Sequence, residues 1–450
     1  MKQMSKRALF LLLFTAAFVV GIFSLSYLSL FHGDDWASFS ANRHIYKNGV
    51  MVNAGDITDR DGTVLATTEN GERLYNSDYN TRVSTLHAIG DFEGFIKTGL
   101  STSHWNDLTG YNPVTGLYDA KNGGNNIKMT VSTKLNKVAL KAFGNYSGTV
   151  GVYNYKTGEM LCMVSSPSYD PTKKQDADGG IYINRFLSSS YPPGSTFKLV
   201  TAIAALETMP DAQSRTYECD HGTIIGGELI SCMAKHNTLS MRDALAKSCN
   251  AYFSQLSVGI GADTMQKYAD KLGFNSPCEI DGIVAKTSSV DLSKIRDVDL
   301  GWAGMGQYTD LVNPLHYLTL MGAIAGGGKA VKPYMIDSIT THDGIEIYSG
   351  SLSYTSRMFS ESTATILHEM MRNNVSSNYG DYRFPGLNVC AKTGTAEVDS
   401  GVTPHSWFVG FVENSDCPLA FVVVAENAGA GVGVARTIAN KVLQEAKEII

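Results

Sequence analysis

From Ala8 to Phe31 the chain carries no aspartate, glutamate, lysine or arginine. Such a run is longer than the ~20 residues that one helix needs to cross the hydrocarbon core of a bilayer. Lys2, Lys6 and Arg7 precede it, and His32, Asp34 and Asp35 end it. Positive charge ahead of a span holds that end in the cytoplasm, so the remainder is expected on the far side of the membrane. A cleaved secretory signal is the competing reading. The apolar run is long for one and no A-x-A site closes it, which favours an uncleaved, single-pass anchor in the cell membrane over residues 1–32.

The chain has 450 residues, 43% of them hydrophobic, with a formal net charge of −6. That length fills more than one domain with a sizeable core. The mild acidity argues against a nucleic-acid partner, which would need a basic face to displace counterions. No repeat period stands out, so a solenoid is not expected. Seven cysteines in an exported chain leave at least one unpaired. Cys219 and Cys232 bracket a glycine-rich stretch that reads as a hairpin, and either a disulfide or two buried thiols would suit them. No C-x-x-C or H-E-x-x-H spacing occurs, so neither a metal nor another cofactor is expected.

Residues 33–145 are polar and turn-rich, as in GYNPVTGLYDAKNGGNN, and read as an extracytoplasmic spacer domain. At its end MTVSTKLNKVALKAFG resembles a strand entering an amphipathic helix, with Leu135, Val138, Ala139 and Ala142 on one face. From residue 146 onward the pattern is that of a larger α/β (α+β) domain. TVGVYNY and MLCMVSS form a hairpin across KTGE. Helical stretches follow in STFKLVTAIAALETM, SMRDALAKSCNAYFSQLSVGIG, ADTMQKYADKLGF and ESTATILHEMMRN. SWFVGFVEN and LAFVVVAEN are late strands, and ARTIANKVLQEAKEII is a final helix. Strands at both ends of the domain imply one mixed sheet whose first and last strands meet.

Within this domain, YPPGSTFK places Ser195 at an expected helix start and Lys198 one turn later. Pro192 and Pro193 suit a helix entry, and Ser195 would lie in the first turn, near the positive end of the helix dipole. A serine hydroxyl needs its proton removed before it can attack. A lysine amine buried among apolar neighbours, here Tyr191, Phe197 and Leu199, loses its own proton and can serve as that base. Alone, S-x-x-K also fits an ordinary helix start with a snorkelling lysine. Ser248-Cys249-Asn250, in a helical region, and Lys392-Thr393-Gly394-Thr395, ahead of a strand, complete a trio that occurs in this order in penicillin-binding proteins and serine β-lactamases. Ser248 can relay a proton and Asn250 can bond a substrate amide. Lys392 supplies positive charge, and the hydroxyls of Thr393 and Thr395, either side of Gly394, can bind a terminal carboxylate. The backbone N–H groups of Ser195 and Thr395 would form an oxyanion hole. An earlier copy, Lys156-Thr157-Gly158, falls in the hairpin turn and is explained by the turn's need for glycine.

On these motifs the chain resembles the class B penicillin-binding proteins, the monofunctional peptidoglycan D,D-transpeptidases. AGDITDRDGTVLA (54–66), MVSSPSYDP (163–171), GMGQ (304–307) and AGGGKAVKPY (325–334) are similar to further segments of that family. The resemblance implies a non-catalytic pedestal over 33–145, then a transpeptidase domain over 146–450 with a mostly antiparallel sheet flanked by helices. It also implies peptidoglycan stem peptides as substrate, β-lactam antibiotics as inhibitors and a membrane glycan polymerase as partner. The middle residue of S-x-N is Cys249 rather than aspartate. Cys249 and Cys390, beside the motifs, read as buried structural thiols. His405 reads as structural, since no G-x-S-x-G elbow accompanies it. GGGKAV and GAGVGVAR read as turns. A membrane-bound serine β-lactamase or β-lactam sensor would carry the same trio, and a catalytically silent scaffold for a polymerase is the reading from a different class.

Overall fold

In a computed structural model, the described residues are 5–37, 46–47, 50–51, 54–70, 72–112, 117–118, 124–173, 179–397, 401–429 and 433–450. Parts of the GYNPVTGLYDAKNGGNN and GAGVGVAR stretches lie outside them.

The first helix is Lys6–Ala37, of which Lys6–Leu28 is long and apolar enough to cross a membrane. The helix continues beyond Asp34 and Asp35, the residues that close the apolar run. Charge ends the stretch that can sit in lipid, while the backbone hydrogen bonds are indifferent to it.

A six-stranded sheet follows, in the order Glu346–Ser349, Ile336–Thr340, Asn126–Met129, Ile57–Thr58, Val64–Glu69 and Glu72–Tyr75. Two of its strands come from the C-terminal half of the chain, with Ile339 opposite Ile127. The strand of 126–129 leads, as expected, into the helix Thr133–Phe143, which Ser132 caps by accepting from the Leu135 N–H. Leu135, Ala139 and Phe143 of this helix are buried against the second sheet, whereas Val138 and Ala142 are only partly covered. The buried stripe is shifted because Asn136, itself buried, donates to the carbonyls of Ser84 and Met163.

The second sheet has five strands in the order Met160–Ser166, Gly148–Asn154, Leu419–Ala425, His405–Val412 and Val389–Ala396. Every pairing is antiparallel, so the sheet is not mixed. Its early and late strands do meet: Val152 lies opposite Phe421, and Val150 opposite Val423. All residues of its three strands 148–154, 160–166 and 419–425 are buried. Helices cover both faces, which is why these strands read as continuous apolar runs rather than as alternation. One face packs on Thr133–Phe143 and Val434–Lys447 through Phe143, Ile438 and Val442. The other packs on Pro314–Ala325 and Glu361–Asn374, and that core continues through Lys198–Thr208 and Asn250–Ile260. Val389–Ala396 is an edge strand, and the turn bearing Ser195 lies against it.

Candidate active site

Ser195 does not sit in the first turn of an α-helix. It lies in a tighter 3₁₀ turn, Gly194–Thr196, just ahead of the helix Lys198–Thr208. Gly194 has φ +52°, which no α-helical start allows, and Thr196 Oγ1 donates to the Pro193 carbonyl at 2.7 Å. The Gly194 N–H donates to the Gly306 carbonyl at 3.0 Å, and a side chain at 194 would overlap the Thr395 carbonyl. Glycine here lets the serine turn touch both the GMGQ loop and the edge strand. In Gly194→Ala the left-handed backbone alone costs about 1–2 kcal/mol. Displacing the turn from Thr395 should slow acylation by labelled penicillin roughly 10²-fold, as misplacement by an ångström does elsewhere. Labelling kinetics beside a thermal melt measure both effects, and an unchanged rate would show that this contact does not position Ser195.

Lys198 is fully buried. Its Nζ lies 2.7 Å from the Ser248 carbonyl, 2.7 Å from Asn250 Oδ1, 3.0 Å from Ser195 Oγ and 3.3 Å from Ser248 Oγ. The two nearest partners can only accept. A neutral amine gives them its two N–H bonds and turns its lone pair to the Ser195 hydroxyl. Burial pushes this amine down to about 8, against a smaller opposing pull from the Cys249 and Cys232 thiols. The aromatic wall is Phe253, whose ring centre is 5.8 Å from Nζ. Two side chains expected to shield the amine make other ring contacts. Phe197 packs on Phe274, and Tyr191 on Trp407.

Ser248 and Cys249 lie outside a helix, in the turn between Met241–Ala246 and Asn250–Ile260. Ser248 has φ +54°, a left-handed conformation that costs of order 1–3 kcal/mol for a non-glycine residue and persists where its surroundings hold it. It aims the Ser248 carbonyl at Lys198 and the hydroxyl at Lys392, whose Nζ donates to Ser248 Oγ at 2.9 Å. Asn250 opens the second helix and donates from Nδ2 to the Ser231 carbonyl at 3.1 Å.

Lys392, Thr393, Gly394 and Thr395 lie within the edge strand rather than ahead of it. Lys392 is buried and also donates to the Thr393 carbonyl at 2.8 Å. Burial, with the neighbouring charge of Lys198, holds its amine well below the usual lysine range. Thr393 and Thr395, two residues apart on the strand, share a face and are partly exposed. Tyr379 Oη accepts from the Thr393 N–H at 3.3 Å and bonds Oγ1 at 3.1 Å, and Gln307 Nε2 donates to the Thr395 carbonyl at 3.1 Å. Tyr379 ends a single π-helical turn, Val375–Tyr379, and no local sequence signal marks it. All three motifs therefore meet at one site, linked in a chain from Ser195 through Lys198 and Ser248 to Lys392.

Residues 148–444 match the family model described as the penicillin-binding protein transpeptidase domain. The chain belongs to this family. Peptidoglycan D,D-transpeptidase PbpA of Mycobacterium tuberculosis is 30% identical over 344 residues, covering 68% of each chain. Stage V sporulation protein D of Bacillus subtilis is 28% identical over 346 residues, 72% of this chain and 53% of that one. The imipenem acyl-enzyme complex of M. tuberculosis penicillin-binding protein A superposes with a TM-score of 0.75 at 25% identity, over 87% of this chain and 98% of that one.

Other residues of this class B penicillin-binding protein stand apart from that site. Lys156-Thr157-Gly158 joins the two strands at the opposite edge of the sheet, with Gly158 at φ +87°. His405 Nδ1 accepts from the Asn427 N–H at 3.1 Å, and its ring meets the edge of Tyr191. None of the seven cysteines is disulfide-bonded. Cys219 and Cys232 do flank a hairpin, Gly222–Ile225 with Glu228–Ser231, but both thiols converge on His236 and Cys249.

Proposed function

We propose that this protein, a serine D,D-transpeptidase by family, cross-links peptidoglycan stem peptides through an acyl-enzyme on Ser195. The observation that carries the assignment is the placement of Lys198 Nζ 3.0 Å from Ser195 Oγ, with two obligate acceptors saturating its N–H bonds. Lys198 takes the hydroxyl proton as Ser195 Oγ attacks the carbonyl of the penultimate D-alanine. The N–H groups of Ser195 and Thr395 hold the oxyanion, and one such donor contributes roughly 3–4 kcal/mol in comparable enzymes. The proton passes from Lys198 through Ser248 to the departing nitrogen, and D-alanine leaves. An amine of a second stem peptide then attacks the ester, forming the peptide cross-link and restoring Ser195.

Lys392 with Thr393, Gly394 and Thr395 receives the terminal carboxylate. Arrival of that negative charge favours the protonated form of Lys392, reversing the effect of burial. Asn250 first orients Lys198, and its amide becomes available to the substrate when it exchanges the Ser231 carbonyl for a peptide carbonyl. β-Lactams acylate the same serine. Among the described residues no carboxylate joins the network around Ser195, Lys198, Ser248 and Lys392, which favours a long-lived β-lactam adduct over rapid hydrolysis.

We place the N-terminus in the cytoplasm and the body outside, with an anchor over 1–32, a pedestal over 33–145 and the transpeptidase domain over 146–450. The family match starting at residue 148 supports the second boundary. The 336–349 hairpin completing the six-stranded sheet would fasten the pedestal to the catalytic domain. A membrane glycan polymerase is the partner that such a pedestal would serve.

Incubation of the full-length chain with a stem pentapeptide ending in D-Ala-D-Ala, plus an amine acceptor peptide, tests the reaction. D-Alanine release should match formation of a cross-linked product, and labelled penicillin should remain bound. Release into water alone, with fast penicillin turnover, would instead make this a hydrolase.

A further inference from the structure

Outside the active site, the side chains of Cys219, Cys232, His236 and Cys249 turn their donor atoms toward one point, all within 4.8 Å of one another. His236 Nδ1 lies 3.5 Å from both Cys219 Sγ and Cys232 Sγ, and Cys232 Sγ lies 3.9 Å from Cys249 Sγ. A tetrahedral Zn²⁺ with bonds of about 2.3 Å to sulfur and 2.0–2.1 Å to nitrogen separates its ligands by roughly 3.5–3.8 Å. The two sulfur–nitrogen distances of 3.5 Å match that spacing, and the Cys232–Cys249 sulfur distance of 3.9 Å is within about 0.1 Å of it. A disulfide would use two of the four groups and strand the others, whereas a metal uses all of them. Three thiols and an imidazole form a soft donor set suited to zinc, without the carboxylates preferred by magnesium or calcium.

The backbone holds this geometry through a strand pairing and two left-handed turns. Cys219 ends the strand Thr216–Cys219, which pairs with Asn237–Ser240, and the His236 N–H donates to the Cys219 carbonyl at 3.0 Å. Within the arm, His221 and Asn237 both have φ +56°, a left-handed turn conformation that histidine and asparagine adopt more readily than most residues. The arm buries only a few apolar side chains, chiefly Ile225, Ile230 and Leu239, while Ile224, Leu229 and Met233 face solvent. Small units of this kind commonly depend on a structural metal.

We propose that Cys219, Cys232, His236 and Cys249 bind one structural Zn²⁺, which pins the 216–240 arm to the turn carrying Ser248 and Asn250. Cys249 lies between those two residues in the chain. The arm also reaches the turn directly, where the Ser231 carbonyl accepts from Asn250 Nδ2. The four ligands are thus positioning residues for the S-x-N segment. On binding, each thiol that is still protonated releases its proton to solvent. The spacing C-x₁₂-C-x₃-H-x₁₂-C contains no C-x-x-C pair, and so the sequence alone did not point to a metal.

The test uses the full-length chain purified in detergent without chelator. Elemental analysis should find about one zinc per chain, as a closed four-ligand site holds a single ion. Alkylation with peptide mapping should leave Cys219, Cys232 and Cys249 protected until a strong chelator is added. Cys219→Ser and His236→Ala should lose the metal. Chelation should slow acylation by labelled penicillin at least about 10-fold, with recovery on adding Zn²⁺. Metal far below one per chain, with the three thiols reacting equally before and after chelation, would overturn the proposal. A Cys–Cys disulfide mapped in the freshly purified chain would overturn it too. The metal and thiol counts on the unaltered protein decide the matter even if a variant fails to fold, and they do not depend on which reaction Ser195 performs.

Discussion

Ser195→Ala should take up no covalent label from fluorescent penicillin, and D-alanine release should fall to background. Removing a serine nucleophile elsewhere lowers turnover by on the order of 10⁶. The substitution deletes the hydroxyl of a partly exposed residue, so folding stability should change by no more than about 0.5 kcal/mol. Lys198 would keep both of its short bonds, to the Ser248 carbonyl and to Asn250. Loss of labelling with an unchanged melting temperature therefore isolates chemistry from structure. Persistent labelling would move the nucleophile elsewhere and end the transpeptidase assignment at this serine. The same variant separates enzyme from scaffold, because cells lacking the native copy should not grow on it if cross-linking is the essential activity.

Lys198→Met should be nearly as damaging for a different reason. General-base catalysis by a positioned side chain contributes typically 10²–10⁴-fold, and acylation should slow by about that factor. Methionine also leaves the Ser248 carbonyl and Asn250 Oδ1 without their 2.7 Å donor. An unsatisfied buried acceptor costs about 1–3 kcal/mol, so this variant, unlike the first, should melt earlier. The pH profile supplies the independent readout. With the Lys198 amine lowered to about 8, it is mostly protonated below that pH and neutral above. Only the neutral form can accept the serine proton. Acylation by the unaltered protein should rise with pH and level off above about 8. The ionisable groups nearest this amine are Lys392, reached through Ser248, and the Cys249 and Cys232 thiols, none of which removes the serine proton directly. The Met variant should show no inflection there. A profile flat in both proteins would remove Lys198 as the base.

Much of the catalytic sheet was legible in the sequence because its strands are apolar on both faces and helices with strong caps or periodicity separate them. The hairpin across Lys156-Thr157-Gly158 and the pairing of early with late strands could be inferred from those runs. The six-stranded sheet could not. Ile57–Thr58 is two residues long and Glu346–Ser349 is wholly exposed, so neither carries a usable period. Local geometry of the motifs was similarly hidden. That Ser195 lies in a 3₁₀ turn follows from Gly194 meeting the Thr395 carbonyl, a contact made across most of the domain. Tyr379 reaches Thr393 from a π-helical turn with no composition to announce it.

The order and chemistry of three short motifs pointed by themselves to serine acyl transfer, since a serine hydroxyl, a lysine amine one turn later and the two later motifs occur together in that chemistry. The tertiary structure decided which partners each group meets. It gave Lys198 two carbonyl acceptors and two hydroxyls, set Ser248 between two lysines, and drew Cys249 into a cluster with thiols from the 216–240 arm. The physical reason is that side-chain type is a property of one residue, whereas proton affinity and ligand geometry depend on what folding brings within hydrogen-bond reach.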